Sequence, residues 1–473
     1  MKIVIITLGC KVNQYESDAL AEKLSAVGHN VFFKLQNADI YILNSCAVTN
    51  EAERKSRQYV SKFLKFNPNA KIFVMGCASQ KNPDQFWNLP NVKYVVGNVN
   101  KLNLLEKIEK LDRKRKLQPL PNFYENISIS KSSHTRAYVK IQDGCNRFCS
   151  YCLIPYLRGR SRSRDIVSIL TEVENLKNNG VKEIVLTGID VSDYRIDDKP
   201  ALSELMKQLN DYNIRIRLSS MEVSLINDEF LSTLKSMKNF CPHFHLSLQS
   251  GCSSVLKRMN RNYTSNEFLN AVKKIRKYFK NVAITTDIIV GFPGETEREF
   301  KQTLKTVKRA KFAYIHIFPY SRRSGTVADK LLSSKSNQGF FVVDGNVVKR
   351  RVKELSQLNK KMFLKFRQNQ IGKKHNVLIE EFVDNCWVGH TENYVKVYII
   401  EDVNCCFLRE KENKLLNSSS SKLHNIKSKN LSSGEYCEIN LHNNSSNLIN
   451  NIVVVEILDV YLDDRVVGVI KKF

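Results

Sequence analysis

The sequence has no apolar run approaching the roughly 18 to 20 residues that a membrane-spanning helix needs, so no helix is expected to cross a bilayer. Its opening, Met1 to Cys10, carries an apolar stretch shorter than the core of a secretory signal, and no small-residue cleavage site follows. Glycine and proline are scarce, 18 and 10 in 473 residues, which excludes a collagen-like repeat. Acidic residues are also in deficit, 47 against 74 lysines and arginines, for a net charge of +27. What is present is a globular composition, 42% hydrophobic and 26% charged, in a chain long enough for about three domains. A soluble, cytoplasmic protein is the simplest expectation. The positive balance suits a polyanion, because neutralising phosphates releases counterions whatever the base sequence. A lysine-rich solvated surface has the same composition.

Three textures follow one another along the chain. Up to about residue 110, strand-like segments (Ile3–Thr7, Ile40–Leu43, Lys71–Met75) alternate with helical ones (Ser17–Val27, Glu51–Phe66), the pattern of βαβ units and a parallel sheet. The charged stretch Glu106–Lys116 reads as a helix running into a Pro-containing linker. From about 133 to 320, six strand candidates begin at Ala137, Glu183, Arg215, His243, Val282 and Tyr314, with five helices between them. That beat predicts a partial (β/α)6 barrel, with an open doubly wound sheet as the alternative. A basic helix over 349–367 leads to β-like segments without helices, Val377–Glu381, Val395–Ile400 and Ile452–Val460, which predict a small antiparallel β-barrel. Residues 413–451 are dominated by Asn, Ser and Lys and read as a low-complexity insertion.

Twelve cysteines in such a chain are better read as metal ligands, reactive thiols and core residues than as a disulfide framework. Cys145, Cys149 and Cys152 follow the first barrel strand with Cys-x3-Cys-x2-Cys spacing. Three thiolates within eight residues can hold three corners of a 4Fe–4S cluster and leave one iron open. Zinc competes, but it wants a fourth ligand, and His134 would have to supply it through a contrived loop. Cys10, Cys46 and Cys77 match no local metal motif. Each instead lies just beyond the end of a predicted parallel strand, so side-by-side pairing would bring the three sulfurs to one sheet edge. Three small apolar side chains at strand ends explain the same pattern. Cys241, Cys252, Cys386, Cys405, Cys406 and Cys437 read as packing or incidental residues.

The segment from Asp143 through Pro155 to Arg158-Gly159 resembles the radical S-adenosylmethionine signature, and more narrowly that of the methylthiotransferases. Thr7-Leu8-Gly9-Cys10-Lys11-Val12-Asn13-Gln14-Tyr15-Glu16-Ser17 and Asn44-Ser45-Cys46-Ala47-Val48-Thr49 resemble the N-terminal module of that family. The resemblance implies that the open iron at Cys145/Cys149/Cys152 binds S-adenosylmethionine, whose reductive cleavage gives a 5′-deoxyadenosyl radical. It implies a second 4Fe–4S cluster on Cys10/Cys46/Cys77 carrying the sulfur to be methylated and inserted, and Tyr151 near the adenine. Glu222 and Gln249 are rim candidates without a role. An electron donor and a sulfur source, both unidentified, are needed as partners, and neither a membrane nor DNA is expected.

The segments Asn376–Glu381, Gly389–Tyr394 and, beyond the insertion, Ile452–Val469 resemble the TRAM domain, a small RNA-binding β-barrel; His390 and Tyr394 there would more often pack than contact bases. The division that follows is 1–120 for the N-terminal module, 131–365 for the radical barrel and 368–473 for the TRAM-like barrel. Family members act on isopentenylated adenosine, on threonylcarbamoylated adenosine, or on an aspartate of a ribosomal protein. Lys11 after Cys10, where the isopentenyl branch usually has Gln, and the alternating arginines 158, 160, 162 and 164 favour the threonylcarbamoyladenosine branch acting on the tRNA anticodon stem-loop. The four guanidinium groups are expected to hold tRNA phosphate or the threonyl carboxylate. Outside catalysis, the rival is an iron–sulfur RNA-binding sensor.

Overall fold

The computed structural model describes residues 1–110, 114–333, 340–384, 386–400, 448–461 and 465–470. The chain forms two compact units, Met1–Lys360 and Lys361–Phe473.

The first unit begins with a parallel sheet of β1 (Lys2–Thr7), β2 (Asn30–Phe32), β3 (Ile40–Ser45), β4 (Lys71–Gly76), β5 (Val92–Val96) and β6 (Lys114–Lys116), in the order β2-β1-β3-β4-β5-β6. Every residue of β3 is buried, as a strand covered by helices on both faces must be. One face packs Tyr41, Leu43, Val60, Phe63 and Val74, with the Tyr41 and Phe63 rings stacked at 4.5 Å. The other packs Ile5, Leu20, Leu24, Ile42 and Phe73. Each such side chain contributes about 1.5–3 kcal/mol on burial. Thr49 caps α2 (Asn50–Phe66) by accepting the Ala52 N–H, and Glu51 and Glu53 complement the dipole of its first turn.

Two boundaries differ from the sequence reading. Helix α1 (Lys11–Ala26) starts six residues before Ser17, and its first turns bury the polar Asn13, Glu16, Ser17 and Asp18 beside Val12 and Tyr15. Hydrophobic periodicity does not register a helix face buried through charge. Residues 114–116 form the edge strand β6 instead of continuing a helix, and lysine-rich edge strands are a common defence against unwanted pairing.

The barrel strands are Arg136–Lys140, Glu183–Thr187, Arg215–Leu218 (continued by Ser220–Met221), His243–Gln249, Ala283–Val290 and Tyr314–Pro319, all paired in parallel. Helices Ile166–Asn178, Leu202–Leu209, Asp228–Ser236, Ser265–Tyr278 and Glu297–Ala310 connect them. The strands neighbour one another in chain order with no reversal, so this is a partial barrel and not a doubly wound sheet. Among the described residues, the first and sixth strands are not hydrogen-bonded to each other.

In the second unit a closed barrel runs Lys374–Val383, Cys386–Thr391, Lys396–Ile399, Val466–Ile470, Ile452–Val460 around Val377, Ile379, Trp387, Val397, Val455 and Ile457. The expectation of a wholly antiparallel barrel needs one correction: Lys396–Ile399 and Val466–Ile470 pair in parallel. A ring of five strands cannot alternate direction all the way round, so at least one seam must be parallel. Residues 413–447 of the expected insertion, with Cys405, Cys406 and Cys437, lie outside the described residues.

Candidate active site

The Cys145–Cys152 loop is pinned at its base, where Gln142–Asp143 pairs antiparallel with Arg162–Ser163. Gly144 makes the turn possible: its φ is +73°, and a Cβ there would lie 1.9 Å from the Arg160 carbonyl oxygen. N–H donors face all three sulfurs. Arg147 N–H reaches Cys145 Sγ at 3.4 Å, Ile154 N–H reaches Cys152 Sγ at 3.4 Å, and the Arg261 guanidinium reaches Cys149 Sγ at 3.3 Å. Burial, with neighbouring Asp190 and Cys149 adding, pushes the Cys145 thiol up to about 12; burial and then Cys149 do the same to Cys152. Thiols so placed lose their protons when a cation arrives, and the N–H donors then meet thiolate.

Cys10, Cys46 and Cys77 follow β1, β3 and β4, three adjacent strands that pair Thr7 with Asn44 and Ser45 with Gly76. The register brings the three residues to one end of the sheet, where Cys10 feels the charge of Cys77, and Cys46 that of Cys77 and Cys10. Gly9, at φ +99°, packs so closely that a Cβ would lie 2.7 Å from Cys46 Sγ. Val48 N–H donates to Cys46 Sγ at 3.5 Å and Asn98 Nδ2 to Cys77 Sγ at 3.4 Å. Burial raises the Cys46 thiol to about 12, and Cys77 and Cys10 add to that. Cys10 is water-accessible yet ringed by protein, and desolvation raises its thiol too, against the pull of Arg158.

Three soft sulfur donors met by N–H groups fit three corners of a polynuclear iron–sulfur cluster better than a structural zinc, which takes four protein ligands. Among the described residues, His245, Asp287 and His316 bring their ligand atoms within 4.8 Å of one another.

A buried charge network joins the two cysteine regions. Arg158 donates to Glu16 Oε1 and Asp143 Oδ1 at 3.0 Å and to Asn13 Oδ1 at 2.8 Å. Lys140 Nζ reaches both Glu16 and Asp143 at 3.2 Å, and Lys101 reaches Glu16 at 2.5 Å. With Arg162 at 3.6 Å from Asp143, four cations face two carboxylates, and Arg158 also lowers the thiols of Cys10 and Cys46 electrostatically. The surplus positive charge suits neighbouring thiolates. This corrects the reading of the arginine run. Arg158 is buried in the network, Arg164 is buried against Glu172, and Arg162 donates to the carbonyls of Arg158 and Arg160. Of the four, Arg160 alone is exposed, 4.4 Å over the Phe148 ring.

Tyr151 is a packed aromatic, 6.4 Å from Phe292 in edge-on contact, beside the turn after the fifth barrel strand. Glu222 pairs with Arg261, the same arginine that donates to Cys149, and so belongs to the support of that sulfur. Gln249 takes a left-handed backbone, φ +63°, where the strand pairing slips. The sequence reading missed Arg261, which no local pattern marks. It also missed His245 and the cluster that His245 forms with Asp287 and His316, for which a signal exists. In His243-Phe244-His245-Leu246-Ser247-Leu248-Gln249, polar residues alternate with buried apolar ones along a covered parallel strand, which marks a polar interior face. His245 Nε2 lies 3.2 Å from Asp287 Oδ2, and the His245 and His316 rings are 5.6 Å apart. Lys11 is solvent-accessible, yet burial and the Arg217 and Arg136 guanidiniums push its ammonium down to about 8, against Asp287 and Cys10.

A six-stranded parallel partial barrel with a three-cysteine loop after its first strand defines a radical S-adenosylmethionine enzyme. Residues 139–307 match the Radical SAM superfamily, and residues 2–97 match the uncharacterized protein family UPF0004. The threonylcarbamoyladenosine tRNA methylthiotransferase MtaB of Thermotoga maritima is 40% identical over 406 residues, 84% of this chain and 91% of that protein. Its counterpart from Bacillus subtilis is 37% identical over 83% of this chain and 88% of its own length. A tRNA-2-methylthio-N(6)-dimethylallyladenosine synthase of Thermoanaerobacter sp. is 35% identical over 80% of this chain and 81% of its own. The chain belongs to the radical S-adenosylmethionine methylthiotransferase family. Membership implies a 4Fe–4S cluster and S-adenosylmethionine. Among solved structures, the radical S-adenosylmethionine methyltransferase TsrM of Kitasatospora setae shares the fold at 14% identity and a TM-score of 0.52, covering 70% of this chain and 78% of that one. Among the described residues, no helix is long and apolar enough to cross a membrane.

Proposed function

We propose that this enzyme places a methylthio group on the adenine ring of N6-threonylcarbamoyladenosine beside the tRNA anticodon. The observation that carries the reading is the 36–40% identity, over more than four-fifths of the chain, to five threonylcarbamoyladenosine tRNA methylthiotransferases. The target base lies in a single-stranded loop, so extruding it costs only a few kcal/mol of unstacking.

Cys145, Cys149 and Cys152 hold the 4Fe–4S cluster that takes S-adenosylmethionine, with Tyr151 on the adenine side, and Cys10, Cys46 and Cys77 hold a second one. When bound, these groups supply one-electron reduction of S-adenosylmethionine and the sulfur to be transferred. The chain's own residues hold and shield them. The backbone N–H groups of Arg147 and Ile154 and the Arg261 guanidinium stabilise thiolate at the first site. Asn98 and Val48 do so at the second, with Arg158 adding positive charge nearby. Segments 1–120 and 131–365 carry these two sites. Segment 368–473 binds the tRNA, and its exposed Tyr394, stacked on His390 at 4.8 Å, offers an aromatic face to an unpaired base. The electron donor and sulfur source are separate partners, and the cytoplasm, where tRNA is modified, is the site of action.

The test is mass spectrometry of tRNA nucleosides after anaerobic incubation with reconstituted enzyme, S-adenosylmethionine, sulfide and reductant, using tRNA that contains both modified adenosines. Methylthiolation of the threonylcarbamoyl nucleoside alone is expected. The isopentenyl product would overturn the substrate, and no methylthio nucleoside would point to ribosomal protein. S-adenosylmethionine left uncleaved by enzyme with intact clusters would point to the non-catalytic sensor.

A further inference from the structure

Three of the four arginines that first looked suited to a substrate carboxylate are engaged within the protein, and another cation is left free. Lys11 is the first residue of α1, directly after Cys10. Among the described residues its ammonium has no hydrogen-bond or ion-pair partner, although glutamates and aspartates nearby are paired with other bases. It is open to solvent and at the same time senses Arg217, Arg136 and Asp287, which sit on the third, first and fifth barrel strands. Helix α1 is tied to the first barrel strand by Glu16 and Lys140 at 3.2 Å, and Lys11, about one and a half turns earlier, lies near charges on three strands and so on the barrel side of the helix. His316, on the sixth strand, is also exposed and senses Lys11, His245 and Asp287.

These four side chains form one polar wall. His245 and Asp287 are tied together at 3.2 Å, and His245 Nδ1 is held by Thr285 Oγ1 at 3.0 Å, so the pair is pre-set. Among the described residues, His245, Asp287 and His316 have the spacing of a metal triad. A metal cation is disfavoured by the adjacent Lys11, Arg217 and Arg136, even though both arginines, with Arg215, pair with the buried Glu183. A surplus of fixed positive charge facing a water-filled space calls for an anion, and a carboxylate fits an ammonium with an imidazole beside it. Asp287 and His245 remain to accept and donate hydrogen bonds to a hydroxyl or N–H next to that carboxylate.

We propose that Lys11, seconded by His316, binds the carboxylate of an amino-acid side arm on the modified adenosine, with Asp287 and His245 reading the arm's hydroxyl or N–H groups. Lys11 is thereby a specificity-determining residue that separates a charged amino-acid modification from an uncharged hydrocarbon one. This rests on the threonylcarbamoyladenosine reading above and adds to it the residues that recognise the arm. A hydrocarbon arm would leave Lys11 desolvated and unpaired, which is where discrimination arises.

The test crosses enzyme with substrate charge. Reconstituted wild type, Lys11→Met and Lys11→Arg are assayed on an anticodon stem-loop RNA carrying threonylcarbamoyladenosine either as the free acid or as its methyl ester. Iron and sulfide content are measured for each variant, because Lys11 adjoins Cys10. Wild type is expected to prefer the acid by roughly 30-fold or more in KM, the scale for losing one partner of a desolvated charge pair. Lys11→Met is expected to abolish that preference, and Lys11→Arg to restore part of it. His316→Gln is expected to weaken the same preference without touching the chain beside Cys10, and covers the case in which Lys11→Met loses its iron. An acid-to-ester preference unchanged in both Lys11→Met and His316→Gln overturns the proposal while leaving the proposed function standing. Wild type that methylthiolates only isopentenyladenosine RNA overturns both.

Discussion

The two cysteine trios reach similar arrangements by opposite routes. At Cys145, Cys149 and Cys152 one short loop supplies the spacing, a glycine turn and two backbone N–H groups from adjacent residues. At Cys10, Cys46 and Cys77 the sulfurs come from three strands, and only the register Thr7↔Asn44 and Ser45↔Gly76 brings them together. A local site survives as long as its loop does, whereas a dispersed site is as good as the sheet that holds it. The difference also explains why the first is visible as a motif and the second only through topology. Arg158 ties them, lying six residues past Cys152 and hydrogen-bonded to Asn13 and Glu16 of the helix that follows Cys10.

The sharpest way to separate the two is chemical. Cys149→Ala is expected to abolish reductive cleavage of S-adenosylmethionine, whereas Cys46→Ala keeps cleavage to 5′-deoxyadenosine and loses the methylthio nucleoside; chromatography of both products distinguishes them. Breaking the tie comes next. Arg158→Met leaves Glu16 and Asp143 buried with one cation fewer and should cost about 3–5 kcal/mol in chemical denaturation, lowering iron content at both sites.

A control lies away from both trios, at Glu183. Burial pushes its carboxyl up, but Arg217, Arg215 and Arg136 together hold it well below the usual carboxylate range. A depressed carboxylate stabilises the fold above its unfolded pKa, about 4.3. That stability is lost as pH falls through the folded value. Glu183→Gln should flatten the dependence of stability on pH below about 4.3 while costing about 3–5 kcal/mol near neutrality, because three guanidiniums lose their counter-ion.

The glycines make a smaller and more local comparison. Gly144→Ala forces a Cβ against the Arg160 carbonyl at 1.9 Å, and Gly9→Ala against Cys46 Sγ at 2.7 Å, each at positive φ. Each should cost at least about 1–3 kcal/mol and deplete iron at its own site, the first at the barrel and the second at the sheet edge, as read by absorbance and iron assay. Smallest of all is Arg160→Ala. Its exposed side chain should contribute no more than about 0.5 kcal/mol to stability, well below the effect of Arg158.

Much of this was legible in the sequence because the signals are periodic. The six barrel strands, the βαβ beginning and the cysteine positions follow from apolar runs and their spacing. The start of α1 did not, since its first turns bury Glu16 through ion pairs and Asn13 and Asp18 through hydrogen bonds as well as apolar side chains. The arginine run looked like an anion-binding arm for the same reason. Spacing shows which residues alternate, but not that Glu16, Asp143 and Glu172 wait inside to neutralise them. Arg261 and Glu222 support Cys149 from 112 and 73 positions along the chain, a relation that exists only after folding. Lys11 was singled out by its place next to Cys10, while its direction into the barrel came from the structure.

The central claim is that two independent cysteine trios each hold one cluster. It is tested most directly by iron and sulfide analysis, with Mössbauer spectra, of two reconstituted triple variants. One carries Cys145→Ala, Cys149→Ala and Cys152→Ala; the other carries Cys10→Ala, Cys46→Ala and Cys77→Ala. Each variant is expected to keep about half of the wild-type iron as a 4Fe–4S signal. A variant of either kind that keeps all of the iron would contradict the account.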